Sequence, residues 1–494
     1  MKRNHFAAVL LGCGLSFTAF YSHAQGVGIG TASPDPSAVL DITSVNKGLL
    51  IPRMSTIATN SIPNPATGLL VYDSLTNQIM VNIGTPLSPN WQAITATSSS
   101  GWAITGNNNI AASNFIGTTN LQPLHFRVNN LPVGELHPLT GNIFWGLQAG
   151  KANTTGYSNV AIGPAALKFN ADGNNLVAIG DSALFNNGRD NPVPGALGVF
   201  NIAVGSKALF SNTIGTDNTA SGANAMFSNI DGSDNTAYGS GSLFSNTTGG
   251  LNTAIGARAL RSNTTGNENT ATGWEALRSN TTGVFNSAFG SLSLDSNTTG
   301  NDNTAGGFAS LFSNTTGNEN TSVGLRSLFS NTTGNNNTAL GSSSLFSNVV
   351  GENNTATGFE SLFNNTTGDR NTALGAQSLK ANNSGSGNVA IGSSALTSNT
   401  TGLDNTAVGN ESLLSNTTGI FNTAVGFESL ASGIIANQNT AVGYRSLFRT
   451  TAMDNTATGF QSLAANTSGA NNASFGSNAL TSNTTGFFNS AFGA

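Results

Sequence analysis

From Asn142 to Ala494 the apolar positions recur every seventeen residues, and the polar letters between them keep the same period. In Leu311–Gly341, LFSNTTGNENTSVGLRSLFSNTTGNNNTALG, nearly the same phrase occurs twice. A marker glycine stands at 146, 163 and 180, then at 205, 222, 239 and 256, and every seventeen residues to Gly443; with Gly459, Gly476 and Gly493 it occurs 21 times. Two intervals depart: 180–205 is eight residues longer and contains Asn191-Pro192-Val193-Pro194-Gly195, and 443–459 is one residue shorter. An insertion that leaves the downstream phase intact belongs in a loop bulging from one coil. The consensus is N-T-A-x-G-x-x-[AS]-L-x-S-N-T-T-G-x-x. One Gly plus an N-T-T-G turn in each unit leaves no helix of useful length. Collagen would need Gly at every third position. Extended chain fits better: at ~3.3 Å per residue, one period traces roughly 56 Å, enough for a narrow coil of two short strands and two turns. Stacked as parallel strands ~4.8 Å apart, the coils give a rod on the order of 100 Å long. The expected class is therefore all-β, a parallel β-roll or solenoid of about 21 coils spanning 142–494.

Side chains alternate along a strand. Ala254 and Gly256 should share one face, as should Ala271 and Gly273; Gly324 continues that column. These small residues suit a thin interior. Leu260, Leu277 and Leu328, four residues after their marker glycines, should fill it; Met226 and Gly150 are exceptions in the Leu column. The opposite face carries Ile255, Phe289, Val323, Leu340, Leu374, Ile391 and Val408, with occasional Thr. Such a stripe normally marks association, so an oligomer that buries it is expected. Two Asn columns, containing Asn263 and Asn252, are expected to hydrogen-bond to their own copies and to turn the chain.

Upstream the pattern is short strands and turn signals. Residues 25–100 form a β-rich region, with strands at Ala38–Ile42 and Gly48–Ile51, a hairpin of Leu69–Tyr72 with Gln78–Ile83, and a strand from Trp91. Residues 101–141 form a connector with a second hairpin, Leu124–Val128 and Val133–Leu136, around Asn129-Asn130. Residues 1–24 read as a secretory signal peptide: Lys2 and Arg3, an apolar run from Phe6 to Phe20, and Ser22-His23-Ala24 as cleavage site. The expected location is extracellular or on the outer cell surface. Lipidation of Cys13, within Leu10-Leu11-Gly12-Cys13, is a weaker alternative.

Composition narrows the function. The chain has 494 residues, 60 of them Gly, with 8% charged and a net charge of −5. That balance disfavours a nucleic-acid partner, and no later apolar run is long enough to span a bilayer. Cys13 is the single cysteine, so a mature chain has no disulfide and no thiol nucleophile. His125 and His137 are the only histidines after the leader and read as surface or partly packed imidazoles. The acids Glu268, Asp302, Glu319, Glu352, Asp369 and Asp404 recur in one turn region and never form the paired carboxylates of a glycosidase. No catalytic residue, cofactor or metal site is expected. Phe312, Phe329, Phe346 and Phe363 form a run where other coils carry Arg261, Arg278, Asp295 or Lys380. Packing against a neighbouring chain is one role for them and an adhesive rim the other.

Asn201–Leu209 (NIAVGSKAL) and Asn388–Leu396 (NVAIGSSAL) resemble the head repeats of trimeric autotransporter adhesins of the YadA type. The resemblance implies a left-handed parallel β-roll and a homotrimer. Gly26–Thr31, Lys47–Met54 and Ala66–Asp73 resemble secreted bacterial proteins of tail-fibre-like architecture. The chain departs from both patterns: it carries no coiled-coil stalk, membrane barrel or chaperone domain, and it stops at Ala494 part-way through a repeat. The reading is a non-enzymatic fibrous surface protein, adhesin-like, contacting a surface protein or glycan many times along a trimeric roll. One alternative is a spacer or fibre shaft truncated before a C-terminal chaperone-protease or receptor-binding module. Ice binding through Thr253, Thr270, Thr304, Thr321 and Thr338 is a distant third.

Overall fold

A computed structural model of the chain describes residues 26–94, 115–189 and 198–493. The leader with Cys13, most of the segment before the second hairpin and the Asn191–Gly195 insertion lie outside the described residues. Contacts divide the chain into two units, meeting between Ile116 and Gly117.

The first unit holds two small sheets. Strands β1 (Val27–Ile29) and β2 (Leu40–Ile42) pair in parallel. Strands β3 (Arg53–Met54), β4 (Leu70–Asp73), β5 (Gln78–Asn82) and β6 (Trp91–Ala93) form a second sheet in that order. The β4–β5 hairpin and the Trp91 strand fall where the alternation placed them. Gly48–Ile51 forms no strand; Arg53–Met54 pairs with β4 instead. A five-residue helix, α1 (Thr56–Asn60), follows it, and the Ser55 hydroxyl accepts the Ala58 N–H at 3.3 Å as its N-cap.

The second unit starts with the hairpin β7 (Leu124–Val128) and β8 (Leu131–Leu136). Asn129 and Asn130 both take positive φ, as a two-residue turn of the primed type requires. Strand β8 pairs antiparallel with β9 (Ile143–Trp145), and from there every strand is parallel to the next, up to β29 (Ser490–Phe492). The 21 strands from β9 to β29 match the 21 marker glycines. Register is kept throughout: Thr253, Ala254 and Ile255 face Thr270, Ala271 and Thr272. The long coil preserves it, with Ala178 opposite Ala203, and so does the short one, with Ala441 opposite Ala457.

Each coil contains one three-residue strand, not two. The segment that carries the Leu is a chain of turns, because the second and fourth residues after the marker glycine adopt left-handed backbone. In one coil these are Arg258 and Leu260, at φ 59° and 49°. Such φ values are uncommon for bulky residues, yet the segment still bonds from coil to coil: the Leu260 amide donates to the Ala276 carbonyl at 3.0 Å and the Arg258 amide to the Ser240 carbonyl at 3.0 Å. The ladder therefore continues where no strand is assigned. Bonding of successive coils replaces local preference as the determinant of backbone shape.

The interior is thin. Ala254, Ala271, Leu260, Leu277 and Leu328 are completely buried. Phe144 stands in the Ala column of the first coil, and the Leu position is Gly150, where a Cβ would sit 2.6 Å from the Phe144 ring. One large group fills that coil as in the others, contributed from the opposite wall. The marker glycines do not line the interior. Gly256 is at φ 132°, and a Cβ there would point along the stack to 2.4 Å from the Gly273 carbonyl oxygen.

The Asn columns bond to their own copies, as expected, and are interior as well. Asn263 and Asn252 are fully buried. Asn263 donates to Asn246 Oδ1 at 2.8 Å and to the Gly266 carbonyl at 2.9 Å; Asn252 reaches the same carbonyl at 2.9 Å. Two ladders thus converge on the turn glycine of most coils; Leu176, Gly433 and Thr450 interrupt them. Buried amides satisfied in this way fix the register, because a slip of one residue would orphan all of them.

Candidate self-association surface

The strand residue before each marker glycine points away from the interior. Ile255, Phe289, Val323, Leu340, Leu374 and Ile391 are exposed, and Val408 is half-buried. A second column, immediately after the marker glycine, widens the stripe with Trp274, Phe308, Leu325, Phe359, Phe427 and Phe460, all exposed. This column is absent from the sequence-based site because each column read singly is interrupted by Ser, Thr or Ala. Read together, the two columns carry a single charged residue, Asp181. The next column out holds Lys207, Arg258, Glu275, Arg326, Glu360, Glu411, Glu428 and Arg445. An uncharged band with a mixed-charge edge is the anatomy of a protein interface.

Phe312, Phe329, Phe346 and Phe363 form one continuous stack, with centroids 5.1–5.2 Å apart and planes within 7°. A second stack, Phe185, Phe210, Phe227 and Phe244, occupies the same column nearer the start of the roll and was not singled out from sequence. The rings face one another, so the middle members offer only their edges to a ligand. Saccharide stacking on an aromatic face has no free face there.

Between the stacks the column turns ionic. Arg278 binds Asp295 at 2.9 Å and Glu275 at 3.4 Å, while Arg258 reaches Glu275 at 2.9 Å; the carboxylate side chains are only 6% and 1% exposed. Burial pushes the Asp295 carboxyl up, against the pull of Arg278. Removing Arg278 leaves Asp295 without its cation, so Arg278→Ala should cost roughly 2–4 kcal/mol, the lower part of the range for a broken buried pair because Arg278 is itself partly exposed. A group with a raised folded-state pKa loses its contribution as pH rises through that pKa. The melting deficit of Arg278→Ala should therefore shrink on acidification. Arg278→Phe combined with Asp295→Phe should recover the loss by extending the aromatic stack, as a melting series would show.

His125 pairs with Glu135 at 3.4 Å, and His137 Nδ1 accepts the Thr140 amide at 3.3 Å. Both line a cavity of about 600 Å³ between the β7–β8 hairpin and the first coil. No group of three or more metal-ligating side chains converges among the described residues. No helix among them is long and apolar enough to cross a membrane.

Residues 28–110 match the family model described as a phage tail like trimerisation region. No curated protein and no solved structure matches the chain. The matched region and the solenoid that follows it fit a tail-fibre-like protein, fibrous and structural in kind.

Proposed function

We propose that the chain is the shaft of a homotrimeric surface fibre, secreted through its N-terminal leader and adhesin-like in the manner of the YadA-type heads its repeats resemble. The observation that carries this reading is the exposed, uncharged stripe of Ile255, Val323, Leu374 and their equivalents, on a chain whose N-terminal part matches a trimerisation model. A large apolar side chain offers ~200 Å², so half-exposure over some twenty coils leaves on the order of 2,000 Å² uncovered. That is several times the largest apolar patch of a typical monomer. Three copies joined at one end would bring their stripes together at high effective concentration. The stiff roll then supplies length, and adhesion comes from weak contacts repeated along three chains. The half-buried Phe312, Phe329, Phe346 and Phe363 would touch a protein surface by their edges. Sedimentation equilibrium of the full chain tests the assembly: a mass about three times the 50.1 kDa chain is expected, and a well-behaved monomer would overturn it.

A further inference from the structure

The two columns flanking the marker glycine are not independent. In four of the five coils where the residue before the glycine is small, the one after it is a large aromatic: Thr272 with Trp274, Gly306 with Phe308, Thr357 with Phe359, and Thr458 with Phe460; the coil with Ser221 and Ala223 is small at both. Where the first is large, the second is small: Phe289 with Ser291 and Leu340 with Ser342. Crowding within one chain does not demand this. The coil with Val323 and Leu325 carries two large groups and leaves them 45% and 51% exposed. Both-large coils also occur at Val425/Phe427 and Val442/Tyr444, where the first residue is again Val, the smallest of the branched aliphatics, and in the first coil at Trp145/Leu147.

We infer that the alternation is a register code between copies of this chain. The inference rests on the reading that the stripe self-associates. In a cyclic ring of parallel chains the contact is heterologous, so one flank of each stripe meets the opposite flank of its neighbour's. At every level the residue after the glycine of one copy then packs against the residue before the glycine of the next. In register, Trp274 meets Thr272, Phe308 meets Gly306 and Ser291 meets Phe289: large against small each time. A shift of one coil, ~4.8 Å, sets Trp274 against Ile255 or Phe289, and Ser291 against Thr272 or Gly306. The first is an overlap and the second a void, and each disfavours the shifted state. A two-fold antiparallel pair reverses the order of levels and loses the match altogether. Apart from Pro164, Asp181 and Asn410, little else in the stripe distinguishes one coil from the next.

Disulfide trapping in the full chain, in a Cys13→Ser background, tests this. The same-level pair Leu374→Cys with Ala376→Cys should give covalent multimers up to the trimer under mild oxidation. The offset pair Leu374→Cys with Ser393→Cys, one coil apart, should give at least tenfold less. Equal trapping of both pairs, or efficient dimerisation of Leu374→Cys alone, would overturn the register code while sedimentation still showed a trimer. A sedimentation monomer would overturn the self-association reading and the code with it.

Discussion

Gly324→Ala should split the roll locally, lowering stability by about 3 kcal/mol or more and opening a new site of limited proteolysis near residue 324. Two effects add. Gly324 sits at φ 138°, which a residue with a Cβ rarely adopts. The new Cβ would also lie 2.5 Å from the Gly341 carbonyl oxygen, inside the bond ladder that joins the two coils. The control lies one coil upstream. Gly306 has ordinary φ, and a Cβ there would meet only the Val323 side chain at 3.5 Å. Gly306→Ala should leave melting and cleavage within experimental scatter. Equal damage from both variants would show that loss of chain flexibility, not the approach of the coils, governs the result.

The second large effect is expected from Asn331→Asp, a change of one atom. Asn331 donates to Asn314 Oδ1 at 2.8 Å and to the Gly334 carbonyl at 3.0 Å, and accepts from Asn348 at 2.8 Å, all without solvent. A carboxylate keeps the acceptor, loses both donors and turns an oxygen toward two other oxygens. The loss should be several kcal/mol at neutral pH. Burial would raise the new carboxyl's pKa, and protonation restores one donor. The variant should therefore regain stability as pH falls, opposite to ordinary acid denaturation. Melting curves between neutral and acidic pH would show it, and a deficit independent of pH would refute the donor argument. Asn318→Asp is the contrast. It lies in an outer ladder that already accepts acids, where Asp369 Oδ1 receives the Glu352 amide at 2.8 Å, and little change is expected.

Much of this architecture was legible before any coordinates because the period converts spacing into position. Ala254 and Leu260 could be placed inside, and Ile255 outside, by alternation and volume alone. What could not be read was fixed by neighbouring coils. Leu260 occupies left-handed backbone because Ala276 holds its amide, a demand that no local preference of Leu expresses. Asn263 looks like a turn residue in isolation, and only the stacked copies above and below make it an interior one. The Trp274 column was hidden for another reason: it is complementary to the column beside it, and its pattern appears only when both are compared. The β1–β2 pair escaped because Val27–Ile29 is too short to announce a strand before its partner is known.

The direction of the coil-to-coil hydrogen bonds has a mechanical consequence. Strands run across the roll and their bonds run along it, so tension on the rod loads the bonds lengthwise, a few at a time. A pulled shaft should open one coil after another rather than fail at once. Each event releases seventeen residues, roughly 56 Å of extended chain, in exchange for ~4.8 Å of rod. A fibre tethered at one end and stuck at the other would lengthen under sudden load, holding its grip while the force is spread over successive coils.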